Sequence, residues 1–420
     1  MDTGPALVFV NRYYRPDESA TSQMLTDLAE QLAARGIRVR IICSRQLYEN
    51  PDAPLAHSEI LNRVEIRRVW TSRFGRGSLA GRACDYASFY LSAAVAMFRM
   101  LKPGDIVIAK TDPPMISVVA GWVAFLRGAI LVNWLQDVFP EVAAKLSSLV
   151  IPGWLYRPLL TVRNQSLRRA RVNVVLGERM AQHLTPLAAS ERVRVVENWA
   201  DGALITPRLP GESKLRAQLG LEDSFVVGYS GNLGRAHEYT TMLHAASQLA
   251  TSAPHIVFLI VGGGAKFGDL RREAEARGLR NFRFLSYQPR SQLADSLAAA
   301  DVHLACLLPD LEGLIVPSKA YGVLAAARPL ISIGDLEGEL ARLVLANRCG
   351  AAVSCGDGPA LVAEIQRLEA DRVECAALGQ NARMAFERQY SMESAVQRWS
   401  DLLGSLHVSF AQTLQEVRGA

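Results

Sequence analysis

Short apolar runs alternate with amphipathic stretches along most of the chain. Ala6–Val10 (ALVFV) is a continuous apolar run, which predicts a buried strand. Gln23–Ala34 follows with Met24, Leu25, Leu28 and Leu32 at helical spacing, and Gly36 marks its stop. Ile37–Cys43 (IRVRIIC) reads as the next strand. Strand, helix and strand within about forty residues make a βαβ unit and therefore a parallel sheet. The alternation continues through Asp105–Ala109, a helix over Ser117–Leu126, Ile130–Leu135, Val172–Leu176 and Val193–Val196. Asp201–Ser213 (DGALITPRLPGES) interrupts it. This segment is rich in Pro and Gly, lacks apolar periodicity and reads as a linker. A second series runs through Phe225–Tyr229, a helix over Tyr239–Leu249, Ile256–Val261, Phe282–Phe284, Val302–Ala305 and Leu330–Ile333. Met392–Leu406 closes the chain with Val396, Trp399, Leu402, Leu403 and Leu406 on one helical stripe. The pattern predicts two doubly wound α/β halves, and such sheets bind ligands outside the carboxyl ends of their strands.

Composition narrows the function classes. A chain of 420 residues suits two domains, and 50% hydrophobic content supplies two cores and excludes wholesale disorder. The net charge of +5 is too diffuse for a nucleic-acid binder and compatible with anionic substrates or an anionic membrane surface. Six scattered cysteines without a CxxC pair point to a reducing compartment, not to disulfides or zinc. The N-terminus has no basic stretch ahead of its short apolar run, and no segment reaches the ~18 apolar residues that span a bilayer. The expectation is a cytoplasmic protein, free or attached to the inner face of the membrane.

Four loops carry candidate chemistry. Gly231, Asn232, Gly234 and Arg235 follow the strand FVVGY; small residues allow close backbone approach to a phosphate and Arg235 adds a fixed cation, although a plain strand–helix turn has the same composition. Gly262, Gly263, Gly264 and Lys266 follow IVFLIV but miss the dinucleotide fingerprint, because Phe267 stands where it needs glycine. Glu312, Gly313, Ser318 and Lys319 precede a helical run. There an acid can accept sugar hydroxyls and a lysine can hold a diphosphate; the plainer alternative is a surface loop with a serine cap. Gln136 and Asp137 end the strand ILVNWL, where Asp137 could orient an acceptor hydroxyl or cap the next helix. No Asp-x-Asp pair occurs, so a diphosphate would be neutralised by Arg235, Lys266 and Lys319 without a carboxylate-held metal.

Together these segments resemble the family 4 retaining glycosyltransferases of GT-B fold, in the bacterial branch that builds polysaccharides. The resemblance rests on Tyr14–Ser19, Asp112-Pro113-Pro114, Gln136–Glu141 and Val196–Asp201 in the first half. In the second it rests on Gly231–Gly234, Tyr287-Gln288-Pro289-Arg290, Val316–Tyr321 and Ala325–Pro329. It implies two Rossmann-like domains facing a central cleft: residues 1–203 for the acceptor, with a C-terminal helix returning over about 391–410, and residues 204–390 for the donor. It implies a hexosyltransferase-type enzyme that takes a nucleotide-diphosphate sugar and needs no cofactor or metal. Gly231 and Gly234 would border the diphosphate, Tyr287 and Gln288 the base, and Glu312 to Tyr321 the sugar, phosphate and ribose. Asp17, Glu18, Ser19 and Gln136 would lie on the acceptor side, with Asp137, Glu312 and Lys319 as catalytic candidates. The chain departs from the family where paired glutamates are usual, since Ala320 stands eight residues after Glu312.

Six arginines and one acid lie between Arg63 and Arg82, interleaved with Val69, Trp70, Phe74 and Leu79 and followed by the aromatic-rich stretch Tyr86–Phe98. This suits an anionic leaflet, and hence a polyprenyl-diphosphate-linked glycan acceptor, or else a solvated loop beside a core helix. A sugar-nucleotide epimerase of the same fold and an inactive, partner-binding homologue are the alternatives.

Overall fold

The computed structural model describes residues 5–75, 78–146 and 151–419, without the side chains of Leu79 and residues 407–419. Arg76, one of the six arginines, lies outside the described residues. The chain divides into two compact units, Met1–Glu197 with Val396–Ala420, and Asn198–Ala395.

The strands of the first unit are β1 (Leu7–Val10), β2 (Val39–Ser44), β3 (Ser58–Leu61), β4 (Val64–Val69), β5 (Ile106–Lys110), β6 (Ile130–Trp134), β7 (Val172–Val175) and β8 (Val193–Val195). They form one sheet in the order β3-β4-β2-β1-β5-β6-β7-β8, parallel throughout except for the β3–β4 hairpin. β1, β5, β6 and β7 are buried along their whole length, as strands covered on both faces must be. The helix Leu79–Met100 packs Phe89, Ala93, Ala96 and Met97 into the core, each buried large side chain being worth ~1.5–3 kcal/mol. Trp399 of the final helix, Met392–Gly419, is fully buried with its ring 5.0 Å from that of Trp134.

The second unit holds β9 (Phe225–Asn232), β10 (Ile256–Gly263), β11 (Phe282–Leu285), β12 (Val302–Cys306), β13 (Leu330–Gly334) and β14 (Gly350–Ser354). Its all-parallel order, β11-β10-β9-β12-β13-β14, is the 3-2-1-4-5-6 order of a dinucleotide-binding sheet. The order reverses between β9 and β12, so the carboxyl ends of these strands form its natural ligand site. In the first unit the reversal falls between β1 and β5.

Three expectations are corrected. Asp201–Ser213 is not a free linker. Ala200 N donates to Tyr390 O (3.2 Å) and Ile205 is buried among Tyr321, Leu324 and Phe386, so the second unit begins at Asn198 instead of 204. The basic stretch after Arg63 is partly strand β4, and Arg68 is 1% exposed, bonded to the carbonyls of Ala56 and Arg15 and paired with Glu59. Finally, β9 and β10 run on through the glycines read as loops. Gly262 pairs with Gly231 and Gly263 with Asn232, and this close pairing needs glycine at 262, where a Cβ would collide with the Gly231 carbonyl.

Candidate functional site

Lys319 stands at the reversal point of the second sheet, at the start of the short helix Lys319–Ala325. Its ammonium donates to the Tyr229 hydroxyl, lies 3.2 Å from Asn232 O and is 4.1 Å from the centre of the Tyr229 ring. Tyr229 is fully buried in β9, and its own hydroxyl donates to Asn232 O at 3.2 Å. The stem of Lys319 passes Gly231, whose missing Cβ would lie 3.9 Å from Lys319 Cβ with nothing closer. Gly231 has φ +121°, a backbone that favours glycine, so the chain here is both unusual and open to approach. Burial pushes the Lys319 ammonium down to about 8, with the Cys306 thiol acting in the opposite sense.

Lys266 supplies a second cation. Its Nζ is 3.2 Å from His237 O and 5.8 Å from the centre of the Tyr239 ring. His237 accepts from Gly234 N through Nδ1 (3.0 Å), and burial, then Lys319, pushes it down to about 3, so it is a neutral spacer between the lysines. Arg235 is exposed in the same turn and makes no hydrogen bond or ion pair among the described residues. Tyr287 is 59% exposed, with its ring edge 3.0 Å from where a Cβ on Gly263 would stand. It offers an aromatic face beyond the end of β10. Gln288 bonds the Ser286 carbonyl at 3.1 Å.

The third loop is placed differently from its sequence reading. Glu312 Oε2 accepts from Glu339 N at 3.2 Å, so its carboxylate is engaged where the helix Glu339–Ala346 begins. Gly313 is buried with φ +73°, and Ser318 occupies the cap position without a side-chain cap bond. The Tyr321 side chain turns into the core. It is 2% exposed, packed against Tyr390 with ring centres 5.2 Å apart, because it lies on the inward face of its helix. Gly263 pairs with Asn232 at the end of β10 and leaves room for the Tyr287 ring beside it.

In the first unit Asp17 is buried. It accepts from Ser19 N (2.9 Å), the Ser19 hydroxyl and Tyr48 N, which makes it a clasp for its own loop and not a free acceptor contact. Glu18 is exposed and Ser19 half-buried. Gln136 and Asp137 are half-buried just beyond β6. Asp137 Oδ1 is wholly buried without a hydrogen-bond partner; burial first, then the Asp112 carboxylate, pushes the group up to about 6, against a hydrogen bond from Thr111. The next helix begins after Pro140, so Asp137 does not cap it. Lys110, at the end of β5, is 1% exposed, bonds Thr21 O at 2.7 Å and lies 4.0 Å over the Trp134 ring; burial holds its pKa well below the usual lysine value.

Sequence reasoning missed Tyr229, His237 and Lys110. Tyr229 and Lys110 look like ordinary strand residues, and only their place at strand ends next to charged neighbours could have marked them.

Comparison with known proteins agrees with this architecture. The family model "Glycosyl transferase 4-like domain" matches residues 19–199 and "Glycosyl transferases group 1" matches residues 211–385. The chain is similar to "Probable glycosyltransferase WbjE" of Pseudomonas aeruginosa, 24% identical over 76% of this chain and 79% of that protein. It is also similar to "Putative colanic acid biosynthesis glycosyl transferase WcaI" of Escherichia coli K12, 26% identical over 79% of this chain and 83% of that protein. Among solved structures, Anabaena HepE in complex with UDP-glucose superposes with a TM-score of 0.71 at 17% identity, over 95% of this chain and 99% of that one. Two Rossmann-like sheets with these neighbours define the GT-B class. The chain belongs to the glycosyltransferases, a family 4-like domain joined to a group 1 domain.

Proposed function

We propose that the protein transfers a sugar, with retained anomeric configuration, from a nucleotide-diphosphate donor to a polyprenyl-diphosphate-linked glycan in surface polysaccharide biosynthesis. The observation that carries the donor site is the Lys319 ammonium beside the open backbone of Gly231, at the point where the order of the second sheet reverses. Lys319, Lys266 and Arg235 neutralise the diphosphate without a divalent cation, and Tyr287 stacks on the base. Charge stabilisation on the leaving phosphate is the main catalytic contribution, and front-face attack lets that phosphate accept the acceptor's proton. Asp137, half-buried just beyond β6, orients the acceptor hydroxyl. The UDP-glucose bound to HepE and the polysaccharide named for WcaI support the donor class and the pathway.

Attachment to the inner leaflet belongs to the same reading. The helices Leu79–Met100 and Ile116–Arg127 expose Leu91, Val95, Phe98, Trp122, Phe125 and Leu126. Arg127 stacks on Phe98 at 5.0 Å and Arg169 on Trp122 at 4.7 Å. Apolar aromatic side chains bordered by arginines suit an anionic interface. No helix among the described residues is long and apolar enough to cross a membrane.

The test is incubation with a panel of nucleotide sugars and polyprenyl-diphosphate glycans in EDTA, with the product's anomeric coupling read by NMR. Transfer with retention supports the reading. Inversion, a strict metal requirement, or an epimerised donor without transfer overturns it.

A further inference from the structure

Tyr229 is too deeply buried for a direct ligand contact, yet it carries a polar group into the core. Its ring is fully buried in β9, yet its hydroxyl points at the one lysine at the reversal point. Burial, first among several causes, holds that hydroxyl well above the usual tyrosine pKa, so it stays a neutral phenol that accepts from the ammonium and donates to Asn232 O. The hydroxyl thus holds the cation directly, with the ring centre 4.1 Å away. Asn232 O completes the cradle at 3.2 Å. Lysine has four rotatable side-chain bonds and gains little from a rigid fork, so a fixed ammonium needs a holder of this kind.

We propose that Tyr229 is a positioning residue for diphosphate binding. It fixes the Lys319 ammonium beside Gly231 and supports its charged form before the donor arrives. The inference rests on the donor site proposed above. Besides Lys319, the titratable groups facing this corner are Cys306 and Glu238, His237 and Lys266 across the turn, and Tyr287. Cys306 is pushed up to about 11 and His237 down to about 3, so neither changes charge between pH 7 and 9.

The test is calorimetric titration with UDP, GDP, ADP and dTDP between pH 6.5 and 9.5, on the wild type, Tyr229→Phe, Lys319→Ala and the double variant. Phe keeps the ring and its packing. For the tightest of the four ligands, Tyr229→Phe weakens binding about tenfold, the loss expected for one hydrogen bond to a charged group. It also moves the alkaline fall in affinity to lower pH, because the ammonium has lost an acceptor. In the Lys319→Ala background the same change has no further effect. Unaltered affinity and an unmoved alkaline limb in Tyr229→Phe, or an equal loss with Lys319 already removed, would overturn the proposal. Undiminished binding by Lys319→Ala, or no binding by any of the four ligands, would instead sink the donor site itself.

Discussion

The carboxylate of Glu312 and the backbone amide of Glu339 meet at 3.2 Å, at the first turn of the helix Glu339–Ala346. Gly338 makes the approach possible, since a Cβ there would collide with Glu312 Oε1. A residue whose sequence context suggests catalysis therefore also does the work of a helix cap. Glu312→Ala should lower stability by about 1 kcal/mol, and Glu312→Gln, which keeps an acceptor oxygen, by less. Denaturant titration of both variants checks this. Lost transfer with unchanged stability would assign the carboxylate to the substrate instead.

Asp137 should make stability depend on pH. Burial raises its folded pKa to about 6, above the ordinary 3.8, so the folded protein holds a proton that the unfolded chain releases between those values. Its stabilising contribution is complete below the lower value and is lost as pH rises through the upper one. Asp137→Asn, permanently neutral, should be more stable than the wild type by about 1–3 kcal/mol at pH 7.5, with the gain shrinking toward pH 4.5. Melting curves at the two pH values decide it. A gain that is equal at both would mean the carboxyl is not the titrating group.

Asp85 binds the loop carrying Phe74 to the helix Leu79–Met100. It accepts from Ser72 Oγ (2.7 Å), Phe74 N (3.0 Å) and Gly75 N (3.1 Å), with the buried Arg12 guanidinium 3.7 Å away. Asp85→Ala removes the acceptor of two amides and the counter-charge of the buried Arg12 and should cost about 3–5 kcal/mol. A loss below 1 kcal/mol in denaturant titration would show that water replaces the carboxylate.

The exposed face of Ile116–Arg127 should control membrane attachment. Phe125 is 76% exposed, and Trp122 and Leu126 lie beside it on the same helix. Replacing the three by serine should lower the partition onto anionic vesicles at least about tenfold, and high salt should weaken the wild type in the same assay. Partition unaffected by the triple change would move the contact elsewhere.

Much of this fold was legible because continuous apolar runs are what doubly covered parallel strands require. Phe225–Tyr229 and Ile256–Val261 were found that way, though both strands run further, since glycines can extend a ladder without adding apolar signal. The hairpin Ser58–Val69 stayed hidden, because its charged residues alternate with apolar ones and Arg68 is buried by partners distant in sequence. The site divides along the same line. Gly231 and Lys319 announce themselves by type and position. Tyr229 does not, because a strand tyrosine becomes a lysine holder only when residue 319, ninety positions on, folds over it. Tyr321 misled for the opposite reason: its motif is right, but its side lies on the buried face of the helix.

Hydrogen exchange of the intact protein with a nucleotide-diphosphate sugar in EDTA tests the central claim most directly. Protection should concentrate at residues 229–235, 263–266, 286–290 and 316–321 of the second unit. Protection that appears only after a divalent cation is added, or that leaves the Gly231 and Lys319 segments unchanged while the donor is bound, would contradict it.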